Sequence, residues 1–285
     1  MPSALDPMPP HQQRGFHALY LDHLRRRDGV PDLSTRRFDV RERLFAGIDR
    51  APCLWSGTPP VDQARFDHNH TLRTPESDLD ELTLWALATA KTNRAERFGV
   101  ELSLDHQRPP SDLAGDPHTY IQIEEFYHTR ILRDVLATIG LTMDVALPNP
   151  RTRLLVRAMV HLPAFIADVA VLCGEIVGVT TFTLLLDKSR ALLASQPQAL
   201  ERVEALFAQI LVDEVGHVHY LRSRLSPTQM AWARRLLPFV VDSVLSDIPE
   251  LARLFGREAI LAHASAADVD GAASPYPDRL VLTVS

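Results

Sequence analysis

Lysine is almost missing from this chain. Lys91 and Lys188 are the only two among 30 basic residues in 285, and arginine makes up the rest. The formal net charge is −6, so no basic face for nucleic acid is expected. Cysteine is equally scarce. Cys53 and Cys173 stand alone and exclude a small disulfide-stapled scaffold. Met1 to Pro10 lacks a basic segment followed by an apolar one, so no signal peptide is expected. A long uninterrupted apolar run is also lacking. The most apolar stretch, Val169 to Leu186, is broken by Gly174, Glu175 and Gly178 and reads as a buried helix, not a membrane span. No membrane partner is expected, and a cytoplasmic location is the default. The rest of the composition is ordinary: 46% hydrophobic and 23% charged residues, which exclude a disordered chain and suffice for a core.

The pattern along the chain predicts an all-α protein in three parts: an irregular arm over 1–75 packed on the body, a helical domain over 76–262, and an extended tail over 263–285. In the arm, Gln12–Arg27 and Phe38–Ile48 read as short helices. Pro52, Pro59, Pro60 and Pro75 lie between these and the next element and break helices, and His68 and His70 read as surface residues. A first long helix starts at Ser77 or Asp78 and stops near Gly99. A second covers His118–Ile139, ending at Gly140. A third runs from Arg151 to Ala194 with a break or kink at Pro163, and a fourth covers Gln198–Arg224. Ser226-Pro227 opens a fifth, to Leu245, and Pro249–Phe255 is a short sixth.

Two of these helices carry the same signature. The second reads Glu124-Glu125-Phe126-Tyr127-His128, the fourth Asp213-Glu214-Val215-Gly216-His217. Glu and His three apart lie about 60° apart around a helix and can ligate one metal or neighbouring metals. One Glu-x-x-His is common by chance, but two on separate apolar helices are a far stronger signal. A carboxylate and an imidazole buried in apolar company cost several kcal/mol unless paired or metal-bound.

A di-metal carboxylate site in a four-helix bundle needs one further glutamate from each remaining helix. The third helix offers Glu175, the only acid between Asp168 and Asp187. The first offers Glu81, Glu96 and Glu101. Glu96 lies on the face of Trp85, Ala88, Thr89 and Thr92, and its alternative is a solvated charge in the last turn. The metal set is then Glu96, Glu125, His128, Glu175, Glu214 and His217. Four carboxylates and two imidazoles suit iron or manganese better than zinc. Glu124 and Asp213 are candidates to accept the second ring N–H of the histidines, and a solvent-facing charge is the other reading.

With that order and spacing, the chain resembles the ferritin-like di-iron oxygenases, and within them the p-aminobenzoate N-oxygenase type. The likeness covers about Leu82 to Leu245. It rests on Trp85 ahead of Glu96, on Glu125-Phe126-Tyr127-His128-Thr129, on Ala167-Asp168-Val169-Ala170-Val171-Leu172 leading to Glu175, on Asp213-Glu214-Val215-Gly216-His217, and on Arg234-Arg235-Leu236-Leu237-Pro238. Ile210 stands where that pattern has a further ligand His, so six protein ligands are offered and not seven.

The resemblance implies a ferritin-like four-helix bundle with additional helices, holding two iron ions (manganese the alternative). It implies O2 as co-substrate and an external electron donor such as a reductase or ferredoxin. The reaction implied is oxidation of a small molecule, by N-oxygenation of an amine or hydroxylation of a C–H bond, in biosynthesis. It is compatible with a homodimer. Glu125 and Glu214 would bridge the metals. Thr92, Gln122, Gly178, Val179 and Phe182 are candidate pocket residues, although a helical Thr often bonds its own backbone. The alternative function is an iron-binding or ferroxidase protein with no organic substrate. His161, His219, Tyr127 and Cys173 are expected to play structural parts.

Overall fold

In the computed structural model, the described residues are 3–47, 53–106, 115–144, 148–159, 161–266 and 268–280, with backbone alone at 99–106, 155 and 159. Among them the chain is all-α apart from one two-residue antiparallel pair, β1 (Pro31–Asp32) and β2 (Arg37–Phe38). The arm supplies α1 (Pro10–Arg27), α2 (Asp39–Phe45) and α3 (Gln63–Thr71). Four long helices dominate the body: α4 (Glu81–His106), α5 (Pro117–Thr138), α7 (Ala164–Leu192) and α8 (Pro197–Arg224). The short α6 (Pro150–Met159) precedes α7, and α9 (Pro227–Asp247), α10 (Pro249–Phe255), α11 (Arg257–Ala266) and α12 (Val269–Ala273) complete the chain.

The four long helices close a ring: α4 packs on α5, α5 on α8, α8 on α7 and α7 on α4. Trp85 of α4 is fully buried, and its indole N–H donates to the Leu185 carbonyl of α7 at 2.9 Å, which fixes the register of that pair. Outside the ring, α1 packs on α8 and α5, α3 and α10 on α4, and α9 on α7.

Several boundaries differ from those the sequence predicts. The first long helix does not stop at Gly99 but continues to His106, so Glu96 sits well inside α4 and not in its last turn. The third does divide at Pro163, as expected, and the proline opens α7 as its N-cap with the extended φ of −58° and ψ of 138°. The proline-rich arm contains α3, opened by Asp62, whose carboxylate accepts from Arg65 N at 2.7 Å. Because α3 lies on α4, His70 is buried, contrary to the surface placement expected, while His68 stays exposed. The tail is not extended throughout. Asp268 caps α12, which buries Val269 and Ala273, and Asp270 pairs with His219 of α8 at 2.7 Å.

Candidate metal centre

The ligand candidates meet where the middles of α4, α5, α7 and α8 face one another. One ligand atom each from Glu96, Glu125, His128 and Glu214 lies within 4.8 Å of the others, and the same holds for Glu125, Glu175, Glu214 and His217. Glu125 and Glu214 belong to both groups. The ring therefore presents two adjoining four-residue sites with two shared carboxylates. Each long helix contributes, as the Glu-x-x-His spacing on α5 and α8 requires. The other candidates on α4 are elsewhere: Glu81 is exposed and pairs with Lys188 at 2.8 Å, and the side chain of Glu101 is outside the described residues.

The histidines are oriented in a crossed manner. His128 Nε2 of α5 is 3.1 Å from Asp213 Oδ2 of α8, and His217 Nε2 of α8 is 3.0 Å from Glu124 Oε2 of α5. Each acidic residue that precedes a ligand Glu thus holds the histidine of the opposite helix. This turns both Nδ1 atoms inward. His128 Nδ1 is 3.2 Å from Glu214 Oε1, and His217 Nδ1 is 2.9 Å from Glu125 Oε1 and 3.5 Å from Glu175 Oε2. Neither Nδ1 meets its carboxylate neighbours in hydrogen-bond alignment, although both rings are fully buried. A buried Nδ1 aimed into a ring of carboxylates, with the opposite ring nitrogen held by an acid, is the orientation that a metal-ligating imidazole needs. The donor set therefore fits two hard-to-borderline cations.

The carboxylates do not ionise equally. Burial, and then the charge of Glu125, raise the Glu96 carboxyl well above its ordinary range. Burial with Glu125 and Glu175 does the same to Glu214. Burial opposes ionisation of Glu125 too, but hydrogen bonding to Glu96 and the charge of His128 hold it well below. Glu96, Glu125 and Glu214, this close, share protons in the absence of cations, and cations would displace those protons.

Behind the histidines lies a layer that the sequence does not predict. Arg41 of α2 is fully buried and reaches Asp28, Glu124 at 3.0 Å, and both oxygens of Asp213. Arg27, at the end of α1, donates to the other side of Asp213 at 2.6 Å. Tyr20 of α1 packs against Gly216, where a Cβ would lie 3.0 Å from its ring. No motif announces these residues. Their only signal is that two buried acids beside two histidines need cationic partners.

The pocket candidates divide. Gly178 lies against the site: a Cβ there would be 3.1 Å from Glu214 Oε2. Phe182 is buried with its ring edge-on to His128 at 6.4 Å between centroids, and Val179 is buried in the core. The Thr92 hydroxyl donates to the Ala88 carbonyl at 2.9 Å, one turn back on its own helix. Gln122 is buried with neither amide atom partnered. A cavity of about 680 Å³ borders Phe126, Thr129, Arg130, Arg133 and Asp134 on another flank of α5, and none of the six ligand candidates lines it. His219 and Tyr127 make structural bonds, to Asp270 and to Glu42. Cys173 is buried, and burial pushes its thiol up to about 12.

No family model, curated protein or solved structure matches the chain.

Proposed function

We propose that the chain is a ferritin-like di-metal oxygenase, with iron as its metal, that oxidises a small molecule with O2. The observation carrying this reading is the pair of overlapping four-residue sites sharing Glu125 and Glu214, with the inward-facing Nδ1 of His128 in one and that of His217 in the other. Glu96, Glu125, His128 and Glu214 would hold one ion, and Glu125, Glu175, Glu214 and His217 the second. When bound, the two ions supply reducing electrons and open coordination positions for O2 chemistry.

The chain's own part is to position and enclose. Asp213 and Glu124 accept from Nε2 of His128 and His217, which fixes each imidazole with its Nδ1 inward. Arg41 and Arg27 keep Asp213 ionised: burial opposes its charge, but the two guanidiniums hold its carboxyl well below the ordinary range. Phe182, edge-on to His128, and the buried apolar residues Ile210, Leu211 and Val215 on the helix that carries Glu214 and His217 would help exclude water from the inner side. The outer side is more open, since Glu125 and Glu175 each keep 15% of their side chains exposed. A substrate would approach there, beside Gly178.

The test is product formation. Ferrous-loaded protein with a chemical reductant is offered apolar amines and isotope-labelled O2. The proposal expects label in an organic product and none from Glu125→Ala. O2 uptake that ends when the ferrous ion is spent, with no product from any amine, supports the ferroxidase alternative instead.

A further inference from the structure

Between Asp144 and Asp168 the chain has three arginines and no acidic residue, in a protein of net charge −6. This stretch includes α6 and the corner into α7. On α6, Leu154 is 70% exposed and stands one turn from Arg151 and one turn from Arg157, both also exposed. At the corner, residues 161–166 are exposed without interruption, including Leu162 at 41%, Phe165 at 54% and Ile166 at 38%. The corner is not a loose end. Ile166 N donates to the Pro163 carbonyl at 2.8 Å, and Gln229 Nε2 of α9 donates to the Phe165 carbonyl at 2.8 Å. Large apolar side chains held rigidly in water cost free energy unless something covers them.

We propose that this corner docks on an anionic lipid bilayer and that an apolar, membrane-partitioned substrate enters the centre from there. The charge pattern selects the occupant. Leu154 between two arginines matches acyl chains below a layer of phosphates. A second copy docking by the same patch about a two-fold axis would gather the arginines of both copies into one interface, with no acid in the patch to compensate. Six consecutive exposed residues at the corner also offer apolar tips for insertion.

The same helix joins the corner to the centre. Ala167, Val171, Gly174 and Gly178 follow one another on one stripe of α7, and each is at least partly exposed. Ile166 precedes Glu175 by nine residues, about 14 Å along the helix. The substrate class rests on the oxygenase reading, whereas docking on the bilayer does not. The sequence predicts no membrane partner. By length and composition α7 is apolar enough to cross a bilayer, but it packs in the ring and carries Glu175. Lying on the surface is a different demand, met by the exposed corner.

The experiment is co-sedimentation of the full chain with phosphatidylcholine vesicles, with and without phosphatidylglycerol. The expected result is binding to the phosphatidylglycerol vesicles that weakens with added salt. Leu162→Ser with Phe165→Ser, and separately Arg151→Gln with Arg157→Gln, should each lower partitioning roughly tenfold or more. All these positions are exposed, so circular dichroism and iron content should match the wild type, and a loss of binding then reports on the corner and not on the metal centre. No binding to either vesicle, or binding that both double variants leave unchanged, overturns the proposal. So does a self-association, seen by sizing, that disappears with the same variants while vesicle binding is absent.

Discussion

Arg41 grips Asp213 with two prongs, Nη1 to Oδ2 at 2.5 Å and Nη2 to Oδ1 at 2.8 Å, and that same Oδ2 faces His128 Nε2. A guanidinium from the N-terminal arm therefore sets the orientation of an imidazole in the centre of the ring. Arg41→Met would leave Asp28, Glu124 and Asp213 buried without their shared cation. The expected loss is about 3–5 kcal/mol of stability in urea unfolding of the metal-free protein. A midpoint unchanged from wild type would show that these acids are neutral in the folded state.

Gly178 tests the close approach to Glu214. An alanine Cβ would meet Glu214 Oε2 at 3.1 Å, tighter than ordinary contact, so the carboxylate must shift. Gly178→Ala should weaken iron binding, read against a competing chelator, by roughly tenfold. Gly174→Ala is the control, because a Cβ there meets nothing within 4 Å. It should bind iron as the wild type does and gain up to about 1 kcal/mol from helix propensity.

Gly216 answers a different need. A Cβ there would sit 3.0 Å from Tyr20 Cε2. That ring cannot easily retreat, since it stacks on Phe16 and Tyr220 with centroids 5.5 Å away in each case. Overpacking should outweigh the propensity gain, and Gly216→Ala should lose about 1–3 kcal/mol by thermal or urea unfolding.

Acid should destabilise the fold through two histidines outside the metal set. Burial, with Arg27 beside it, lowers His23 to about 4, and burial with Arg94 and Lys91 lowers His70 to about 4. The unfolded chain protonates these rings near pH 6.5, whereas the folded chain resists until about 4. The unfolded state thus binds more protons in that window, and stability falls as pH drops through it. His70→Asn should flatten the slope of urea-derived stability between pH 6.5 and 4. An unchanged slope would show that His70 titrates normally.

The centre is legible in the sequence because its ligand candidates sit at fixed helical spacings on long apolar helices. Burial costs make an acid such as Glu175 conspicuous among apolar neighbours. Glu96 stands out through the small apolar face it shares with Trp85 and Ala88. Arg41 and Arg27 are not legible, because their partner Asp213 lies 172 and 186 residues further along the chain, and only tertiary packing brings them together. α3 and α12 escape for another reason. They are short and held by single Asp caps and a few buried contacts, so apolar periodicity has too little length to register.

The central claim is that two metal ions share Glu125 and Glu214. Elemental analysis of protein reconstituted anaerobically with ferrous ion, and freed of loosely held metal, tests it most directly. The account predicts close to two irons per chain in the wild type and a marked fall in Glu214→Ala, which removes a ligand from both positions. One iron or fewer per wild-type chain, unchanged by further reconstitution, would contradict it.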